Sequence, residues 1–339
     1  MRYLVLIATL LAPIIANADD RHDLINSVVS QHILPAFDSL AQTSDDLAEA
    51  ARQDCRAGSP VLRDAYTGAF DAWIRASHLR FGPTEVDNRA FSLAFWPDPR
   101  SKTPKALAGL IGSQDSVVFD PDAFAKTSIA GQGFYALDFL LFDPAYSAPE
   151  TADYTCALIR AVTSGIATTS SAILDDWHQR YSTLFLSAGE ATNNVYQTQD
   201  EAVQELFKAL GAGLQFTSEI RLGRPLGSYD RPRPNRAEAR RSGRSLRHVV
   251  LSLEATRDLA QLLVADRADV AGALDSRFAQ AIKLGIRLDD PVFAGVAVPQ
   301  SRFRVESLQQ AVNDIRAVVS ENLGPELGVA AGFNALDGD

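Results

Sequence analysis

Five histidines, two cysteines and one methionine are all the soft metal-ligating side chains that 339 residues offer. None of the histidines (His22, His32, His78, His178, His248) begins an H-E-x-x-H pair or lies four residues from another, so the ligand pair of a zincin peptidase is missing. Two cysteines are too few for the usual zinc or iron–sulfur patterns. Neither sits in a protease signature and there is no G-x-S-x-G elbow, which leaves serine and cysteine hydrolysis without a motif. One stretch, Gly131-Gln132-Gly133-Phe134-Tyr135-Ala136, matches a dinucleotide fingerprint, but Ser128-Ile129-Ala130 precedes it rather than a strand, and no βαβ unit surrounds it. Its glycines permit a tight loop leading into a helix. Strand-like alternation bounded by hairpin turns is nearly absent. Basic charge is also in deficit: 32 Lys and Arg against 42 Asp and Glu give a net charge of −10, which disfavours a general role on nucleic acid or anionic lipid.

At the N-terminus, Arg2 and an apolar run from Tyr3 to Ile15 lead to Ala16-Asn17-Ala18, the A-x-A form of a signal-peptidase site. Residues 1–18 therefore read as a cleavable leader, too short to cross a bilayer of roughly 30 Å. No later segment reaches about 18 apolar residues without charges, so the mature chain is not expected to span a membrane. No cysteine follows the cut to carry a lipid, and the expected location is free in the periplasm. That oxidising compartment makes a Cys55–Cys156 disulfide the default pairing, with two isolated buried thiols as the alternative.

Apolar residues recur at steps of three and four in Leu62, Ala65, Tyr66, Ala69, Phe70, Trp73 and Ile74, one face of a helix. Similar faces run over 24–40, 158–177, 203–220, 246–264, 273–284 and 303–318. Loops rich in Pro, Gly, Asp and Ser separate them at 81–104, 143–149 and 223–235. The expected fold is all-α: two antiparallel helical bundles packed side by side, residues 19–190 and 191–339.

Two stretches carry candidate chemistry. In Gly133 to Phe142, Tyr135 and Asp138 are three apart and share a helix face among apolar neighbours. A carboxylate so placed needs a partner: a metal, an arginine, a ligand or a backbone amide. From Arg221 to His248 there are nine arginines, a local reversal of charge in an acidic chain. Arg241, Arg244 and Arg247 share a face if a helix begins near Ala237, and guanidinium forks suit carboxylate or phosphate. They point either to an anionic ligand, such as a metal chelate bearing carboxylates, or to ties between loop and acidic residues. His78 and Arg80 end the helix of Trp73, where cations favour the dipole; His78 is also the one histidine nominated as a ligand or proton carrier.

The chain resembles the imelysin family. Family members carry G-x-H-x-x-E at the start of a helix, and the matching positions here are Gly133, Tyr135 and Asp138, with Tyr for His and Asp for Glu. Further blocks are AWIRASHLRFGPTE (72–85), AFWPDPR (94–100, with Trp96 and Asp98), RPRPNRAEARRSGRSLRHV (231–249) and GFNALDGD (332–339). The resemblance implies two helical bundles with a functional cleft between them, a connection to iron acquisition, and a peptidase label. Tyr135 and Asp138 form an oxygen-only pair, suited to ferric iron if the tyrosine ionises and weak for divalent metals. The functional expectation is a binding or accessory protein of iron or metal-chelate uptake, with iron or an iron chelate as ligand and envelope uptake proteins as partners. Its site would comprise Tyr135, Asp138, His78, Arg241, Arg244 and Arg247. The alternatives are an imelysin-type peptidase using Asp138, and a non-catalytic envelope scaffold.

Overall fold

The computed structural model describes residues 14–264 and 267–329, with side chains from Asp20 onward. Most of the expected leader and the 332–339 block lie outside the described residues. No strand occurs among them, only a lone bridge between Ser228 and Arg231. Ten helices of ten residues or more occur among the described residues: α1 (Ile14–Val28), α2 (Leu34–Gln53), α3 (Pro60–Ala76), α4 (Lys102–Ser113), α5 (Gly133–Phe142), α6 (Ala152–Asp176), α7 (Gln199–Gln215), α8 (Ser245–Val264), α9 (Ala268–Leu288) and α10 (Pro299–Val318).

The helix starts follow capping chemistry. Ser59 accepts a hydrogen bond from the Leu62 amide and Pro60 takes the first position of α3, where a missing N–H costs nothing. Thr198 caps α7 by accepting from the Glu201 amide. The Asp98 carboxylate takes the Lys102 and Thr103 amides at the head of α4. Four π-helical segments, Val29–Ile33, Trp177–Tyr181, Phe216–Leu222 and Val319–Leu323, each extend or join a helix by one wider turn.

The helices gather into two groups. α2, α3 and α6 pack together with α5 against α6, and α4 lies on α5; α7 and α8, α8 and α9, and α9 and α10 form the second set, with α1 laid on α7 and α8. Contact between α3 and α8 joins them. Leu40, Leu62, Phe70, Leu158, Leu206, Leu259, Phe278 and Leu308 are fully buried, and side chains of this kind contribute about 1.5–3 kcal/mol each when removed from water. Residues 149–186 are apolar and long enough to cross a membrane by length and composition alone. Here that stretch is a core helix, since α6 buries Leu158, Ile159, Val162, Ile166 and Ile173 against its neighbours. Cys55, just past α2, and Cys156 on α6 are joined by a disulfide across 101 residues, as an oxidising compartment favours.

Gly133 sets the start of α5. Its φ is +70°, and a Cβ there would lie 2.3 Å from the carbonyl oxygens of Ser92 and Leu93. The left-handed backbone alone costs an L-residue about 1–2 kcal/mol, and the clash adds to it. Gly133→Ala is therefore expected to lower the melting temperature by several degrees. A variant melting with the parent protein would show that α5 can move off the 92–93 backbone without cost.

Candidate functional site

A cavity of about 320 Å³ opens where the two groups meet. One wall is the stretch from Phe95 into the first turn of α4 at Pro104, with a cis peptide before Pro97; another is the α5 face bearing Tyr135, Asp138 and Phe139; the third is Arg224 with the segment Asn235 to Arg241. Tyr135, Asp138 and Arg241, singled out from the sequence, thus line one cleft. Trp96 stacks on Tyr135 at 6.0 Å and 22°, fixing the phenol at the floor.

Beneath the floor lies a buried polar network. Glu238, 1% exposed, accepts a hydrogen bond from the Tyr135 hydroxyl and one of 2.8 Å from Arg221 Nε, and His248 Nδ1 lies 3.3 Å away. Burial by itself would raise the Glu238 carboxyl. The charges of Arg221 and His248 and the hydrogen bond from Tyr135 outweigh that and hold it at about 2, an ionised carboxylate. Arg221 also reaches Thr217, Ser252 and, across the interface, Ser77. It rides on the π-helical turn Phe216–Leu222, a kind of bulge frequent at functional sites. His248 packs edge-on to Phe70 at 4.5 Å, and neither ring nitrogen has a well-directed hydrogen bond among the described residues. Burial lowers its pKa, with Glu238 pulling the other way.

Asp138, 2% exposed, takes neither an arginine nor a backbone amide as its partner; Tyr66 on α3 donates to its Oδ1 at 3.1 Å. Burial pushes the carboxyl above the usual carboxylate range, against the pull of Ser242, Tyr66, Arg241 and His248. Burial, then Glu238, drives the Tyr135 phenol well above its ordinary 10. Tyr135 and Asp138 offer two oxygen donors, and no group of three or more His, Cys, Asp or Glu is placed to hold a metal among the described residues.

The arginines divide. Arg241 Nε donates to Asp143 at 2.7 Å beside the cleft, while Arg244 and Arg247 both pair with Asp71 on α3, outside the cavity lining. They share no helix face, because α8 begins only at Ser245. Ala239 (φ +43°) and Gly243 (φ +74°) break the preceding segment into turns. His78 stands at the end of α3, but its Nε2 meets His32 Nε2 at 2.9 Å in a buried pair, away from the cavity. Burial holds His32 at about 4. Sequence reasoning does not single out Glu238 or Tyr66, and Arg221, Arg224, Arg236 and Arg240 figure in it only as members of the arginine-rich run. The available signal for Glu238 was an acid set among arginines between Arg236 and Arg240; Tyr66 reads as core, and its hydroxyl is invisible to periodicity.

Fold and cleft together define an all-helical protein whose two helix groups enclose an arginine-walled polar cavity. The imelysin family model (peptidase M75) matches residues 33–319, and the chain belongs to that family. An imelysin-like protein from Psychrobacter arcticum 273-4 has the same fold, with a TM-score of 0.76 at 20% identity over 93% of this chain and 98% of that one. An iron-regulated protein A precursor from Parabacteroides distasonis ATCC 8503 superposes with a TM-score of 0.73 at 12% identity, over 89% of this chain and 94% of the other. No curated protein matches the sequence.

Proposed function

We propose that this protein acts in the periplasm as a binding or accessory component of iron or metal-chelate uptake, holding a small anionic ligand in the cleft and doing no covalent chemistry on it. One observation carries the reading: Arg224, Arg236 and Arg240 face the same cavity and have no ion-pair partner among the described residues, and the Nε of Arg224 is buried without an acceptor. Unsatisfied buried donors are rare in folded proteins and cost about 1–3 kcal/mol, so an acceptor is expected to occupy the place. The iron-regulated neighbour and the disulfide both suit the periplasmic uptake setting, with an envelope protein as the onward partner. Metal reaches the site as cargo inside an anionic chelate, because the arginines of the wall repel a bare cation.

Thermal-shift measurements against ferric and divalent metals, with and without carboxylate chelators, test the reading. Binding at about a hundred times Kd adds roughly 2.7 kcal/mol of stability, a shift of several degrees. That shift is expected for the anionic chelates and not for aquo metal ions, and Arg224→Ala is expected to diminish it. No shift with any anion would sink the proposal, and turnover of a peptide that disappears in Asp138→Asn would replace it with the peptidase reading.

A further inference from the structure

Two guanidinium groups at the cleft lie over aromatic rings. Arg241 sits 3.5 Å over Phe139, and Arg224 sits 5.7 Å over Trp96. Stacking fixes the plane of a guanidinium and leaves its N–H edge for two-point contact with a planar anion such as carboxylate. Arg241 has already given its Nε to Asp143. Arg224 has not, and burial followed by the nearby charge of Arg236 pushes its pKa down, the mark of two cations crowded on one void. Arg236 and Arg240 are exposed at the mouth. The acids that share the lining are already engaged, Asp98 with the amides of Lys102 and Thr103 and Asp138 with Tyr66.

Size and wall chemistry narrow the ligand. A cavity of about 320 Å³ has room for roughly ten waters at about 30 Å³ each, so a single inorganic oxyanion would leave most of it wet. Phe95, Trp96 and Phe139 supply apolar wall beside the arginines, and such a surface rewards a carbon skeleton.

We propose that the cleft recognises an organic polyacid, a small molecule with two or more carboxylates on a carbon skeleton. The Arg224 fork grips one carboxylate, and Arg236 and Arg240 take the others at the mouth. This rests on the anion-binding reading above and names its ligand class; it places recognition in the acid itself, with or without metal.

Calorimetric titration of the purified protein with metal-free citrate, tricarballylate, acetate and phosphate, each checked by thermal shift, tests it. Citrate and tricarballylate are expected to bind, with acetate and phosphate at least tenfold weaker. Arg224→Lys keeps the charge but loses the fork, and is expected to weaken tricarboxylate binding at least tenfold; exposed Arg236→Ala should weaken it without altering the melting temperature of the free protein. Phosphate binding as tightly as citrate would overturn the polyacid assignment while leaving the anion reading intact. So would binding of ferric citrate with no binding of citrate alone. Failure of every anion, ferric citrate included, would end both. An Arg224→Lys protein with unchanged citrate affinity would overturn the role given to the fork.

Discussion

Replacing Glu238 by Gln is expected to destabilise the protein by about 3–5 kcal/mol at neutral pH, since removing one partner of a buried ion pair leaves the other charge uncompensated. The stranded charge is Arg221, whose side chain is 4% exposed. The pH dependence carries a second signature. The Glu238 carboxyl stands at about 2 in the folded protein against an ordinary 4.5. A depressed carboxyl contributes stability that is present above its unfolded value and is lost as pH falls through the folded one. The contribution therefore fades between pH 4.5 and 2, by about 3 kcal/mol at 1.36 kcal/mol per unit. Urea unfolding of parent and variant at pH 7, 4.5 and 3 reads both effects. His32, held at about 4 by burial, adds a loss of its own between pH 6.5 and 4 in both proteins, and Asp138, whose pKa is raised, works in the opposite sense. A Glu238→Gln protein within about 1 kcal/mol of the parent at pH 7 would contradict the buried network as described.

Removing the disulfide is expected to cost a comparable amount. Cys55 and Cys156 close a loop of 101 residues, and for a loop near 100 residues the chain-entropy estimate is about 4–5 kcal/mol. The bond ties the end of α2 to the start of α6, two helices that already pack along their length, so the fold should survive and only its margin should shrink. Cys55→Ala with Cys156→Ala, and the parent protein under reductant, should lose the same stability in urea unfolding. A loss below about 1 kcal/mol would mean that the unfolded chain keeps enough structure to make the cross-link redundant.

The long helices were legible in the sequence because each presents a continuous apolar face at the helical period. α3 shows this most plainly: Leu62, Tyr66, Ala69, Phe70 and Trp73 are all buried. The π-helical turns left no mark in that pattern, since one added residue shifts the face without changing its composition. In the cleft, Tyr135, Asp138 and Arg241 were visible as polar groups out of place. Their partners were not: Tyr135 meets Glu238 across 103 residues and Asp138 meets Tyr66 across 72, and no local spacing encodes such pairings. Arg244 and Arg247 share a face with Arg241 only in one continuous helix from about Ala237. The left-handed backbone at Ala239 and Gly243 redirects them to Asp71 instead.

The cleft draws its walls from residues 95–104, 133–142 and 224–241, stretches separated by long runs of chain. Contacts of such sequence separation carry a loop-closure cost that local helices do not, and they form late in folding. A newly made chain can therefore hold most of its helices before the cleft exists at all. Only molecules that have completed the junction between the two helix groups possess the arginine wall opposite Tyr135 and Asp138, so a ligand held there as proposed would report on the finished fold and, by mass action, favour it over any half-assembled intermediate.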